Sequence, residues 1–97
     1  MPDLNEHTAS YLADLFGTLS DPSRLRIIDS LLGGEQSVGG IASLLGMTES
    51  AVSHQLRRLR FMRLVRTRRA GRQVFYGLDD DHVARLFKLG LEHVVQG

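Results

Sequence analysis

Eight of the twelve basic residues of this chain, all arginine, fall between Arg57 and Arg72, and no Asp or Glu interrupts them. Clustered guanidinium groups without neighbouring acids are suited to gripping phosphate oxygens, and a one-sided positive stretch is the footprint expected of a nucleic-acid contact. Ser50, Ser53, His54 and Gln55 lie just ahead of this stretch. They are short or amide-bearing donors and acceptors of the kind that read base edges. A second constellation lies near the C-terminus, where Asp80, His82, His93 and Gln96 offer oxygen and nitrogen ligands.

The balance of the whole chain hides the first of these features. Ninety-seven residues with a net charge of +1, 42% hydrophobic and 24% charged, describe ordinary globular material of one domain (1–97), small enough that a partner subunit would help it fold. There is no cysteine, which excludes disulfides, thiolate metal sites and thiol redox switching. No apolar run approaches a membrane span and the N-terminus lacks the pattern of a signal peptide, so a cytoplasmic protein with no membrane partner is expected. A triad among Ser50, Ser53 and His54 is absent, as is a glycine-rich phosphate loop. Both absences argue against an enzyme.

Hydrophobic periodicity supplies the elements that must position these residues. Tyr11, Leu12, Leu15, Phe16 and Leu19 recur at helical spacing and predict a helix from about Thr8 to Leu19. Asp21-Pro22 caps and starts a second, carrying Leu25, Ile28, Leu31 and Leu32 inward until Gly33-Gly34. A short helix over Val38–Leu45 ends at Gly46, and Thr48 caps the next after a turn of about three residues, which reads as helix-turn-helix. In that next helix, about 48–61, Val52, Leu56 and Leu59 form the packing stripe and leave Ser50, Ser53, His54, Arg57, Arg58 and Arg60 off it.

Residues 64–68 and 73–78 then predict two strands around Ala70-Gly71-Arg72, a wing about 64–78 that places Arg68, Arg69 and Arg72 near its tip. A closing helix, about 79–95, carries Val83, Phe87, Gly90 and Val94 on one stripe. His82, Leu86, Leu89, His93 and Gln96 form another. The fold class is therefore mainly α with a small β-hairpin: four helices, a two-stranded wing and a final helix, a winged helix-turn-helix. Its expected contacts are base edges for Ser50, Ser53, His54 and Gln55, and phosphates for Arg57, Arg58, Arg68, Arg69 and Arg72. The plainer alternative is a solvated arginine-rich face.

The run TESAVSHQLRRLRFMRLVRTRRAGRQVFYGL, with LSDPSRLRIIDSLL upstream, resembles the ArsR/SmtB family of dimeric winged-helix repressors that respond to metal ions. The resemblance extends from about Ala9 to Gln96. It implies a homodimer that binds an inverted-repeat operator in double-stranded DNA and leaves it when an inducer binds. It also assigns DNA contacts to the positions held here by Glu49, Ser50, Ser53 and His54, with Glu49 a departure because a carboxylate repels phosphate.

Family members often sense through a Cys-x-Cys pair ahead of the reading helix. That stretch here is Ser37-Val38-Gly39-Gly40, so a thiolate site for arsenic(III), lead or cadmium cannot form. On the last helix, His82 and His93 are eleven residues apart, on one face but roughly 16 Å apart along the axis, too far to share an ion within one chain. Two such helices packed antiparallel would bring Asp80 and His82 of one against His93 and Gln96 of the other, giving two equivalent sites. Asp-x-His followed by this distant His resembles the family's C-terminal helix site, which implies Zn(II) as inducer, with Co(II) or Ni(II) as alternatives. Gln96 departs from the His or Glu usual there, and water, Asp81, Glu92 or His7 is the alternative fourth ligand. Two further readings stay open: His82 and His93 flank an apolar dimer stripe, or the site is degenerate and the repressor answers to another ligand or to none.

Overall fold

Every helix of the protein starts on a side chain that accepts a hydrogen bond from its own first turn, so local chemistry sets the element boundaries. In the computed structural model, which describes residues 3–97, the order is α1 (Glu6–Leu19), α2 (Pro22–Leu31), β1 (Gln36–Ser37), α3 (Val38–Leu45), α4 (Glu49–Phe61), β2 (Val65–Ala70), β3 (Gln73–Leu78) and α5 (Asp81–Gln96). Asn5 accepts from Thr8 N–H at 2.8 Å, Asp21 from Arg24 at 3.0 Å, Ser37 from Gly40 at 3.0 Å and Thr48 from Ala51 at 3.1 Å. Asp80 accepts from His82 at 2.9 Å and from Val83 at 3.3 Å. The first helix thus begins before Thr8, because Asn5 is its cap. The last begins after Asp79, whose N–H instead donates to the Leu64 carbonyl at 3.0 Å and ties the end of the wing to its start.

The hairpin stands where its alternation predicted, with Gly71 at φ 63° in a two-residue turn of the kind that favours glycine. The sheet has a third strand that periodicity did not reveal. β1 pairs antiparallel with β3, Gln36 opposite Tyr76 and Ser37 opposite Phe75, and the strand order is β1-β3-β2. Two residues are too few to show an alternation, and Ser37 serves at once as strand end and as cap of α3.

The core is built from Ile27, Ile28 and Leu31 of α2, Ile41 and Ala42 of α3, Val52, Leu56 and Leu59 of α4, Leu64 and Val65, and Val83 of α5. Ile27 takes the inward place expected of Leu25, which is exposed, and Leu32 is only half-buried. The α1 stripe is only partly covered: Leu15 and Leu19 pack against the core, whereas Tyr11 is 62% and Phe16 52% exposed. The same holds for the second half of α5, where Leu89 is 68% and Val94 77% exposed. Between α1, α2 and α5 runs an apolar groove of about 670 Å³ lined by Phe16, Leu19, Leu25, Ile28, Phe87 and Leu91 among others. These faces are amphipathic helices whose apolar sides are left partly uncovered by the described residues.

α4 ends in a tight αL turn. Leu64 N–H donates to Leu59 O at 2.9 Å and Arg63 N–H to Arg60 O at 3.0 Å, the paired bonds of a Schellman motif, with buried Leu59 and Leu64 as its apolar contact. Its left-handed position is occupied by Arg63, at φ 58°, where glycine is usual. An L-residue there costs about 1–2 kcal/mol, and glycine gives back about 0.5–1 kcal/mol through the flexibility of the unfolded chain. Arg63→Gly is therefore expected to stabilise the fold by about 0.5–1 kcal/mol, read as a higher urea midpoint with an unchanged m-value.

Candidate nucleic-acid interface and ligand residues

α4 is held by one face and open on the other. Val52, Leu56 and Leu59 are fully buried, whereas Ser50, His54, Arg57 and Arg58 are exposed and Ser53 is half-buried. Gly46, at φ 67°, closes α3, Met47 N–H donates to Ala42 O at 3.0 Å, and Thr48 caps α4, so the two helices are joined by the short turn that the sequence predicts. Glu49 lies in the first turn of α4, where its charge complements the helix dipole. None of the side chains of Ser50, Ser53, His54, Arg57 and Arg58 has a hydrogen-bond partner among the described residues.

Gln55 stands differently. Its Oε1 accepts from Arg24 Nε at 2.8 Å, and Arg24 Nη1 donates to the Thr18 carbonyl at 3.1 Å, so the glutamine pins α4 to α2 and to the end of α1. Arg24 is thus a positioning residue for the reading helix. Nothing in the local pattern around Arg24 reveals this partner 31 positions away.

The wing divides its arginines into two sets. Arg69 and Arg72 are exposed and have no acidic partner among the described residues. Arg68 donates from Nε to Glu35 Oε1 at 2.8 Å, and Arg66 from Nη1 to Glu35 Oε2 at 3.0 Å. The Arg68 guanidinium also lies 5.0 Å from the centre of the Phe75 ring, its cross-strand partner. Hydrogen bonds from Arg68 and then Arg66 hold the Glu35 carboxyl below the ordinary glutamate range.

At the start of α5, Asp80 and His82 form a compact pair with His82 Nδ1 3.3 Å from Asp80 Oδ2, and the hydrogen bond from His82 holds the aspartate below its usual range. This contact engages Nδ1 of an imidazole that is otherwise largely exposed, the kind of carboxylate contact that orients a metal-binding histidine. His93 and Gln96 lie in the last turns of the same helix, both exposed. No three His, Asp or Glu side chains converge within the chain among the described residues. The donor set fits an ion only as two half-sites, one at each end of α5. His7, offered as an alternative ligand, packs edge-on against Tyr11 with ring centres 4.8 Å apart.

Three helices with a short turn before an open reading helix, followed by an arginine-bearing hairpin, define a winged helix-turn-helix protein. A family model described as "Bacterial regulatory protein, arsR family" matches residues 21–67. The chain is 46% identical over 86 residues to a transcriptional repressor SmtB homolog of Synechocystis, covering 89% of this chain and 65% of that protein. It is 43% identical over 90 residues to the HTH-type transcriptional regulator NmtR of Mycobacterium tuberculosis, covering 93% and 75%. A homodimeric winged helix-turn-helix DNA-binding domain from Mycobacterium bovis superposes with a TM-score of 0.82 at 32% identity, covering 99% of this chain and 91% of that one. The chain belongs to the arsR family of bacterial regulatory proteins. These relatives are transcriptional regulators rather than enzymes, in agreement with the absence of a catalytic constellation. No helix of the described residues is long and apolar enough to cross a membrane.

The Glu35 pairs make stability depend on pH in a definite direction. A carboxyl whose folded pKa is lowered contributes fully above its unfolded value, about 4.3, and loses that contribution as the pH falls through the folded value. The urea midpoint of the wild type should exceed that of Glu35→Gln by a small margin at pH 7, and the two should converge toward pH 3. A constant gap between these pH values would contradict the pairing.

Proposed function

We propose that the protein is a cytoplasmic homodimeric repressor that binds an inverted-repeat site in double-stranded DNA and releases it on binding a divalent metal ion. The observation that carries the DNA half is the free face of α4, where Ser50, Ser53 and His54 stand unpaired opposite a fully buried stripe. These short side chains let the helix enter the major groove and meet base edges, while Arg57 and Arg58 bind flanking phosphates. Glu49 is suited to accept from a cytosine amino group. Gln55 keeps its amide N–H₂ for DNA while its oxygen anchors the helix. On the wing, Arg69 and Arg72 reach phosphate or an adjacent minor groove, and Arg68 stands in the same row, held by Glu35.

The uncovered apolar faces of α1 and α5 support the dimer, and the homodimeric relative supports it further. Two reading helices on one twofold axis then meet half-sites one helical turn apart, about 34 Å. His54→Ala should weaken specific binding by about 1–3 kcal/mol while leaving binding to unrelated duplex nearly unchanged. Competition fluorescence anisotropy with an operator selected in vitro checks this; equal losses on both duplexes would remove His54 from base reading.

For the inducer, Asp80 and His82 of one protomer and His93 and Gln96 of the other would hold Zn(II), or Co(II) or Ni(II). Bound there, the ion would supply a crosslink between the two α5 helices and so bias the spacing of the reading heads. Gln96 is a weaker ligand than imidazole or carboxylate, which leaves water, Asp81, Glu92 or His7 as alternative fourth ligands. That weakness, with the incomplete donor set of each chain, also supports a second reading, in which the site is degenerate and another ligand or none releases DNA. Titration of the metal-free protein with Co(II) separates the two. Intense d–d bands saturating at two ions per dimer and lost in His93→Ala are expected of an interhelical tetrahedral site, whereas the absence of saturable binding would favour the second reading.

A further inference from the structure

Eight arginines in sixteen residues would be expected to bind any duplex tightly, yet one acid is folded back onto two of them. Glu35 comes from the loop after α2, far from the arginine run in sequence, and the pairing of β1 with β3 delivers it to the sheet. From there it reaches across β3 to β2. Each carboxylate oxygen takes one guanidinium, Arg68 at 2.8 Å and Arg66 at 3.0 Å.

The crossing point is Gly77, which stands opposite Arg66 in the sheet. A Cβ there would lie 3.3 Å from both Arg66 Nη1 and Glu35 Cγ. The Gly77 backbone is not in the left-handed region, so conformational freedom does not account for the glycine, whereas room for the bridge does. Phe75 backs the Arg68 guanidinium from the same strand. Arg66 also borders a cleft of about 500 Å³ lined by Asp79, Asp80 and Asp81, an acidic neighbourhood that disfavours phosphate. Arg68, nearer the tip and half exposed, is the charge with a choice between the carboxylate and DNA.

We propose that Glu35 is an intramolecular stand-in for a DNA phosphate: by occupying Arg68 it withholds one wing charge from the backbone and sets the non-specific affinity and salt dependence of binding. The proposal rests on the DNA-binding reading above. A phosphate-mimicking carboxylate lowers the sequence-independent part of the affinity without touching the base-reading face of α4, so it widens the margin between the correct site and other DNA. It also places the control in a loop outside the reading helix and the wing.

The test is the slope of log K against log [salt] for a duplex of unrelated sequence, measured on the 97-residue chain. Each added phosphate contact steepens that slope by about 0.9. Glu35→Gln is expected to steepen it by about one and to raise non-specific affinity several-fold. Gly77→Ala, whose Cβ would push the Arg66 and Glu35 side chains by a few tenths of an ångström and leave the charge unaltered, should move the slope the same way by a smaller amount. In Arg68→Gln the effect of Glu35→Gln on the slope should vanish. An unchanged slope in both Glu35→Gln and Gly77→Ala, with circular dichroism confirming that they fold, would overturn the proposal. A steeper slope for Glu35→Gln that persists in Arg68→Gln would assign the effect to bulk charge and also overturn it. If the wild type itself bound no duplex, the DNA-binding reading would fall first; wild-type binding with a slope indifferent to these variants removes the latch alone.

Discussion

The structure depends on one apolar seam, the burial of Val52, Leu56 and Leu59 of α4 against Ile28, Ile41 and the start of β2. A reading helix must be rigid and must also leave most of its circumference bare, and these demands conflict unless a single narrow stripe carries the packing. Here three fully buried residues at helical spacing do so. The α4 N-terminus is fixed by the Thr48 cap and its C-terminus by the Arg63 turn, so neither end relies on contacts that DNA would need. Leu64 and Val65 continue the seam into β2, and the Asp79 N–H returns to the Leu64 carbonyl. Helix and wing are thereby one piece, and the spatial relation between the free face of α4 and the wing arginines is set inside the core.

Charge is partitioned on this frame by partners that lie far away in sequence. Arg24, Arg66 and Arg68 read alike with the other arginines in composition, yet each is committed to an internal acceptor. Arg24 spends its guanidinium on the Thr18 carbonyl and Gln55, which locks three helices together at a single point. Because exposed ion pairs contribute little net stability, the value of Glu35 lies less in holding the sheet than in deciding which wing charges remain available. Arg57, Arg58, Arg69 and Arg72 are exposed on the same helix-and-wing unit and have no acidic partner among the described residues.

Much of this was legible in the residues alone, for reasons that can be stated. The stripe of α4, the Asp21-Pro22 start of α2, the Gly46 and Thr48 signals and the Gly71 turn are local, and local chemistry decided them. What could not be read was non-local. β1 is two residues long and exists only because β3 offers it an edge. Gln55 looked like a base reader because its amide is suited to that task, and its bond to Arg24 arises only when α2 crosses α4. Arg68 looked like one more tip charge, and the reach of Glu35 across Gly77 has no sequence signature. The apolar stripes of α1 and α5 were legible, whereas how far each is covered within the described residues was not. Periodicity reports that a face must be buried and is silent about whose surface buries it.

That last distinction governs the ligand residues as well. α5 has Asp80 and His82 joined at its start and His93 at its end, and the straightness of a sixteen-residue helix keeps them apart whatever the loops do. Within one chain the arrangement is therefore a capping aspartate with an oriented imidazole and, three turns on, an isolated histidine. Any chemistry that needs both ends requires a second α5 running the other way, and the apolar side chains of Leu89 and Val94 are left exposed along the second half of the helix. Dimer contact and ligand assembly then become the same event in physical terms. A change in how the two helices pack alters the donor geometry, and occupation of the donors alters how the helices pack. Within the chain, α5 is joined to the core through Val83 and lies directly after the Asp79 N–H to Leu64 carbonyl bond, so its start is tied to the same unit as α4 and the wing.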